Sequence, residues 1–276
     1  MSKITAADVK KLRDQTGAGM MDVKKALVEA EGDTEKAIDL LRKQGQKLSV
    51  RRAEREAKEG VVIAKVNENK DQGVVIRLSC ETDFVAKNEE FVKFADRIAD
   101  VALENLPDSL DDLLALQMDD QDIAGHVTNQ VGVIGEKIEL AEYAKLEAET
   151  VVPYIHMGYR AGVIVGLNQK GEAAEEAGRN VAMQIAAMKP IALDKEGVDQ
   201  AVIDREIEIG KEQARQEGKP ENIIDRIAEG KLNRFFVDNT LLLQDYVRDG
   251  KQSVKEYLQS VDKELTVTDF KHLEIG

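Results

Sequence analysis

The spacing of apolar residues changes twice along the chain. Over the first 44 positions it follows a helical period. Thr5 stands where a helix cap belongs, with Asp8 three residues on in a capping-box arrangement, and Ile4, Val9 and Leu12 form one apolar stripe. The turn Thr16-Gly17-Ala18-Gly19 ends that helix. Met20, Met21, Val23, Ala26 and Leu27 predict a second, and Ala37, Ile38, Leu40 and Leu41, after the break at Gly32-Asp33, predict a third. A bundle this small is marginal alone. From Lys47 to Lys58 the stripe fades and Arg51, Arg52, Arg55 and Lys58 outnumber the acids, which predicts a basic, exposed helical linker over 45–59.

From Gly60 the period becomes two. Val61 to Val66 and Val74 to Leu78 read as a β-hairpin, and Asn88 caps a helix whose stripe is Phe91, Ala95, Ile98, Ala99 and Ala102. After Pro107 a helical stretch leads to Val133 to Leu140, read as a further strand. The same order then recurs: Val151 to Ile155 and Val163 to Leu167 repeat the hairpin, and Ala173 to Met188 repeats the helix. Lys137 to Glu147 resembles Glu264 to Glu274, so the closing strand has a counterpart too. The pattern predicts an internal duplication of α+β class, each half packing a helix on a small, mainly antiparallel sheet. Inside the second half, Val202 to Glu217 and Glu221 to Lys231, joined by Gly218-Lys219-Pro220, predict an inserted antiparallel helical hairpin. Its sparse apolar positions (Val202, Ile203, Ile207, Ile223, Ile227) place it as a projection. The expected segments are therefore 1–44, linker 45–59, core halves at 60–148 and at 149–190 with 232–276, and the hairpin at 191–231.

Composition narrows the function. The 39 Lys and Arg against 53 Asp and Glu leave a net charge of −14, which disfavours direct binding to a phosphate backbone. One cysteine, Cys80, cannot form an internal disulfide, and three scattered histidines (His126, His156, His272) lack the spacing of a metal cluster, so no metal and no cofactor are expected. No apolar run approaches a membrane span, and Met1-Ser2-Lys3-Ile4 leads straight into the first helix, so no membrane association and a cytoplasmic setting are expected. Gly-rich phosphate loops are absent. Cys80 with His126 or His156 would make a thiol nucleophile and base only if the fold joined them, and a small residue packed at a strand end is the simpler reading. The acidic pairs carry little information in so acidic a chain.

One segment stands apart. Residues 80–88, Cys-Glu-Thr-Asp-Phe-Val-Ala-Lys-Asn, join a strand end to a helix cap, and Phe84 lies outside the stripe of that helix. It is either a core aromatic tucked under the loop or an exposed wedge for a partner's pocket, with Asp83 beside it.

The run Thr82-Asp83-Phe84-Val85-Ala86 resembles the most distinctive motif of the bacterial translation elongation factor Ts family. Leu12 to Leu27, Ile134-Gly135-Glu136-Lys137-Ile138 and Tyr154-Ile155-His156-Met157-Gly158-Tyr159-Arg160 resemble further family motifs in the same order, over nearly the whole chain. The resemblance implies a ubiquitin-associated-like N-terminal bundle and a non-catalytic guanine-nucleotide exchange factor for the GTPase elongation factor Tu. It implies a partner-binding wedge at Thr82, Asp83, Phe84 and Val85, an N-terminal contact patch at Leu12, Met20 and Met21, and a contact from the second core half at His156. Self-association through the helical hairpin is a further expectation. Two departures stand out: Tyr159 replaces a frequent Gly, and many members carry another helical module beyond the point matched by Phe270 to Gly276. The second Thr268-Asp269-Phe270 falls within a predicted strand and is read as structural. The competing classes are an adaptor built on the three-helix bundle and, more distantly, an enzyme centred on Cys80; neither accounts for Asp83-Phe84.

Overall fold

The computed structural model describes residues 4–276. Met1-Ser2-Lys3, read above as leading into the first helix, lies outside the described residues. Helices α1 (Ala6–Thr16), α2 (Met20–Glu29) and α3 (Thr34–Arg52) form the bundle. The Thr5–Asp8 capping box is present: Asp8 N donates to the Thr5 hydroxyl at 3.2 Å, and Thr5 N donates to the Asp8 carboxylate at 2.9 Å. Val9, Leu12, Val23, Ala26, Leu27 and Ala37 fill the small core.

The first core half is β1 (Glu59–Val66), β2 (Gln72–Cys80), α4 (Asp83–Ala86), α5 (Glu89–Asn105), α6 (Leu110–Ala115), the short strands β3 (Gln117–Met118) and β4 (Gln121–Asp122), α7 (Ile123–Ile134) and β5 (Glu139–Glu147). Its antiparallel sheet has the order β1-β2-β5. The strand expected at Val133 to Leu140 is corrected. Ile123, Val127, Val131 and Ile134 recur at helical spacing, so Val133 and Ile134 complete α7, Gly135 ends it with a left-handed φ of 81°, and β5 begins at Glu139.

In the second half, β6 (Thr150–His156), β7 (Ala161–Leu167) and α8 (Glu172–Met188) precede the hairpin of α9 (Gln200–Gln216) and α10 (Glu221–Asn239). Then come β8 (Asp245–Tyr246), β9 (Asp249–Ser253), α11 (Val254–Val261) and the closing strand β10 (Val267–Glu274). The sheet order is β10-β7-β6. The halves agree in fine detail. Helices α5 and α8 are both 17 residues long, and both end on a non-glycine residue in the left-handed region, Leu106 and Lys189. Leu78 pairs with Leu140, and Leu167 pairs with Val267, and the residue that follows each partner, Ala141 and Thr268, is left unpaired as a bulge. Those two bulges coincide when the closing strands are aligned. Val62, Val75, Val151 and Ile164 pack the two sheets together.

Two further expectations change. Helix α10 continues to Asn239, past the boundary expected at 231. The buried seam of the hairpin is Gly210, Ala214, Ile224 and Ala228, and the helices approach so closely there that a Cβ on Gly210 would lie 3.2 Å from the Ala228 Cα. Likewise α3 does not end near residue 44. It runs to Arg52, and the first part of the expected exposed linker is docked: Gly45 is buried against α7, where a Cβ on Gly132 would lie 2.8 Å from the Gly45 Cα. Among the described residues no helix is long and apolar enough to cross a membrane.

Candidate functional site

The halves also differ in the segment that leads from the hairpin to the long helix. Once Leu78 and Leu167 are matched as equivalents, ten residues (79–88) reach α5 in the first half, whereas four (168–171) reach α8 in the second. A short connection therefore satisfies the fold, and the additional residues make the single turn α4. Its cap, Thr82, is extended but does not cap with its side chain. The Thr82 hydroxyl instead donates to Glu136 Oε1 at 2.8 Å and the Thr82 amide to Glu136 Oε2 at 3.0 Å. One position earlier the roles reverse: the Lys137 amide donates to Glu81 Oε1 at 2.6 Å. Two neighbouring residues of the turn and two neighbouring residues beyond α7 thus hold each other reciprocally. Burial works against ionisation of Glu81, but the Lys137 amide and the Arg52 guanidinium outweigh it and leave the carboxyl below its ordinary value.

On this braced turn the side chains separate by role. Val85 and Ala86 pack against the first core, whereas Phe84 is 83% exposed. The core-aromatic reading of Phe84 is therefore excluded. Asp83 forms an ion pair with Lys87 at 2.6 Å, which holds its carboxyl below the usual range while leaving it half exposed. Cys80 is buried, donates to the Thr82 carbonyl at 3.2 Å, and has its thiol pushed up to about 12, chiefly by burial and further by Glu136. A buried, protonated thiol bonded to backbone is no nucleophile.

The remaining candidates fall in two places. In the bundle, Met20 and Met21 are 52% and 63% exposed, whereas Leu12 is 1% exposed and belongs to the core, so Leu12 offers no contact surface. His156 ends β6, half-buried, with its Nδ1 2.8 Å from the Tyr154 hydroxyl. The turn that follows it is unusual: Met157, Gly158 and Tyr159 all have positive φ, and Met157 is 74% exposed. That turn faces α4 across a groove of about 600 Å³ lined by Asp83, Ala86, Lys87, Met157, Tyr159 and Arg160. The structure thus brings the second-half turn beside the Asp83–Phe84 turn.

Sequence reasoning missed the braces. Glu81 and Glu136 lie inside recognised motifs, but nothing local signals that each bonds the backbone of the other's neighbour. The sequence predicts an exposed basic linker, yet Arg52 reaches Glu81 at 2.6 Å with its side chain 24% exposed.

An exposed phenyl on a braced turn, an adjoining groove and a second exposed apolar patch on the bundle are features of the kind that protein docking surfaces present. Residues 81–276 match the family Elongation factor TS. Proteins named Elongation factor Ts from Christiangramia forsetii and Flavobacterium psychrophilum are 53% and 52% identical over 276 residues, covering all of each chain. Another of that name, from Amoebophilus asiaticus, is 50% identical over 274 residues, covering 99% of each. The chain belongs to the elongation factor Ts family and is a factor of translation elongation.

Proposed function

We propose that the chain is a non-catalytic guanine-nucleotide exchange factor for elongation factor Tu, acting in the cytoplasm. Phe84 is the wedge. It enters an apolar pocket on the GTPase's nucleotide domain, with Asp83 alongside, and displaces the elements that hold magnesium and the nucleotide phosphates. Met20 and Met21 supply an adaptable apolar contact from the bundle. Leu12 supports that patch from inside. His156 and its turn contact a further part of the GTPase, and the α9–α10 hairpin is left free for self-association.

No chemical step is required. If the factor and GDP each weaken the other's hold on the GTPase, the antagonism is reciprocal, and stabilising the nucleotide-free form accelerates GDP loss. The observation that carries this reading is the 83% exposure of Phe84 on a turn that the duplicated half does without. A large apolar ring held in water adds nothing to the stability of the fold, and its burial by a partner would contribute favourably to binding. The test is release of fluorescent GDP from elongation factor Tu of the same source. Substoichiometric factor should accelerate release in the presence of excess nucleotide; a rate unchanged at saturating factor would contradict the reading.

A further inference from the structure

Helix α3 carries the bundle at one end and finishes at Arg52, whose Nη1 donates to Glu81 Oε1 at 2.6 Å. Arg55, just beyond the helix, donates to Glu81 Oε2 at 3.2 Å. Glu81 is three positions before Phe84, and its side chain is only 14% exposed. Ion pairs in open solvent contribute little. This one is largely shielded and shares its carboxylate with the Lys137 amide, a setting in which loss of one partner is felt. Midway along α3, the contact of Gly45 with Gly132 fixes the helix against α7. The helix is therefore held both at its middle and at its end.

We propose that Arg52 and Glu81 are a positioning pair, through which α3 grips the wedge turn and sets a fixed spacing between the methionine patch and Phe84. This rests on the reading of Phe84 as the contact that drives GDP release. Met20 and Met21 sit on α2 of the bundle, Phe84 sits on the first core half, and α3 is packed in the bundle core with α2 and bonded through Arg52 to Glu81. A partner engaged by both surfaces at once feels that spacing directly, since a misplacement of about 1 Å is enough to cost catalytic or binding geometry. Breaking the pair leaves each surface intact but lets the turn move relative to the bundle. Affinity from the bundle is then retained while the wedge works less well.

The test uses the full chain with Arg52→Gln, Glu81→Gln, the double variant and Arg52→Lys. Glu81→Gln keeps an acceptor for the Lys137 amide, and Arg52→Lys can replace the single nitrogen that Arg52 uses. Two quantities are read: the maximal rate and half-saturating concentration of GDP release, and hydrogen exchange of the amides of residues 82–88 in the factor alone. Each Gln variant should lower the maximal rate about three- to tenfold with half-saturation nearly unchanged. The double variant should be no slower than the worse single, because the two residues act as one unit, and Arg52→Lys should recover most of the rate. Amides 82–88 should exchange faster in the Gln variants while those of β2 do not. Wild-type rates in both single variants, fully multiplicative losses in the double, or exchange accelerated equally throughout the chain would each overturn the proposal. If the wild-type factor released no GDP, the reading of Phe84 would fail, and the exchange data on residues 82–88 would still decide whether the pair positions the turn.

Discussion

Glu136 accepts both hydrogens that Thr82 offers, the amide at 3.0 Å and the hydroxyl at 2.8 Å, across a sequence separation of 54 residues. The hydroxyl is thereby taken from its usual work of capping the helix turn that carries Phe84. A motif of the first core half is held by one from the far end of the same half. The turn's geometry is thus a tertiary property, set by the β5 side of the fold.

Glu136→Ala should loosen the turn without unfolding the core. It leaves the part-buried Thr82 amide without its partner, a loss below the roughly 1–3 kcal/mol of a fully buried donor. Hydrogen exchange at residues 82–87 should quicken and GDP release should slow, while the thermal transition of the core shifts only slightly. Wild-type protection at Thr82 would show that Glu136 does not hold the turn.

Gly132→Ala gives an outcome whose sign is informative. In an exposed helix interior, Gly to Ala stabilises by roughly 0.5–1 kcal/mol. Here the added methyl would lie 2.8 Å from the Gly45 Cα, against backbone that cannot rotate away. The variant should therefore be destabilised, by about 1–3 kcal/mol as for other overpacked contacts, and protease should cut faster between residues 44 and 59. A raised melting temperature would mean that α3 and α7 are not in contact in solution.

Cys80 should resist thiol reagents in the native protein at alkaline pH. An unfolded thiol ionises near about 8.5, whereas burial, with Glu136 beside it, pushes Cys80 up to about 12. Because the folded value is the higher one, the contribution of the neutral thiol to stability is complete below the unfolded pKa and is lost as pH rises toward the folded pKa. Cys80→Ala should therefore flatten the alkaline limb of stability against pH and leave GDP release unchanged. Rapid labelling of the folded protein at pH 9 would contradict the buried assignment.

The parts of the fold legible in the sequence are those written in local periodicity. The Thr5–Asp8 capping box, the hairpin at Ile63 and Ile76, the cap at Asn88 and the duplicated closing strands all follow from residues a few positions apart. The misread strand at Val133 fell where an apolar cluster fits both periods, and the left-handed Gly135 decided between them. The hairpin seam at Gly210 and Ala228 was hidden because small residues carry no apolar signal. At the site, Phe84 was visible as a residue off its helix's stripe, but the choice between core and surface needed the packing of Val85 and Ala86. The Glu136–Thr82 and Arg52–Glu81 bonds join residues far apart in sequence, and no periodicity encodes them.

Phe84→Ala is the most direct test of the wedge. A buried Phe truncated to Ala costs about 3–5 kcal/mol of stability, whereas a substitution at a surface position usually falls within about 0.5 kcal/mol. Phe84 is 83% exposed, so the variant should melt where the wild type does. The ring's work is on the partner, and each ~1.4 kcal/mol of barrier lowering is a factor of ten in rate. Melting temperature and fluorescent GDP release from elongation factor Tu, measured on one sample, should show an unchanged fold and exchange slowed by on the order of tenfold or more. A large fall in melting temperature together with normal exchange per folded molecule would contradict the assignment of Phe84 as the wedge.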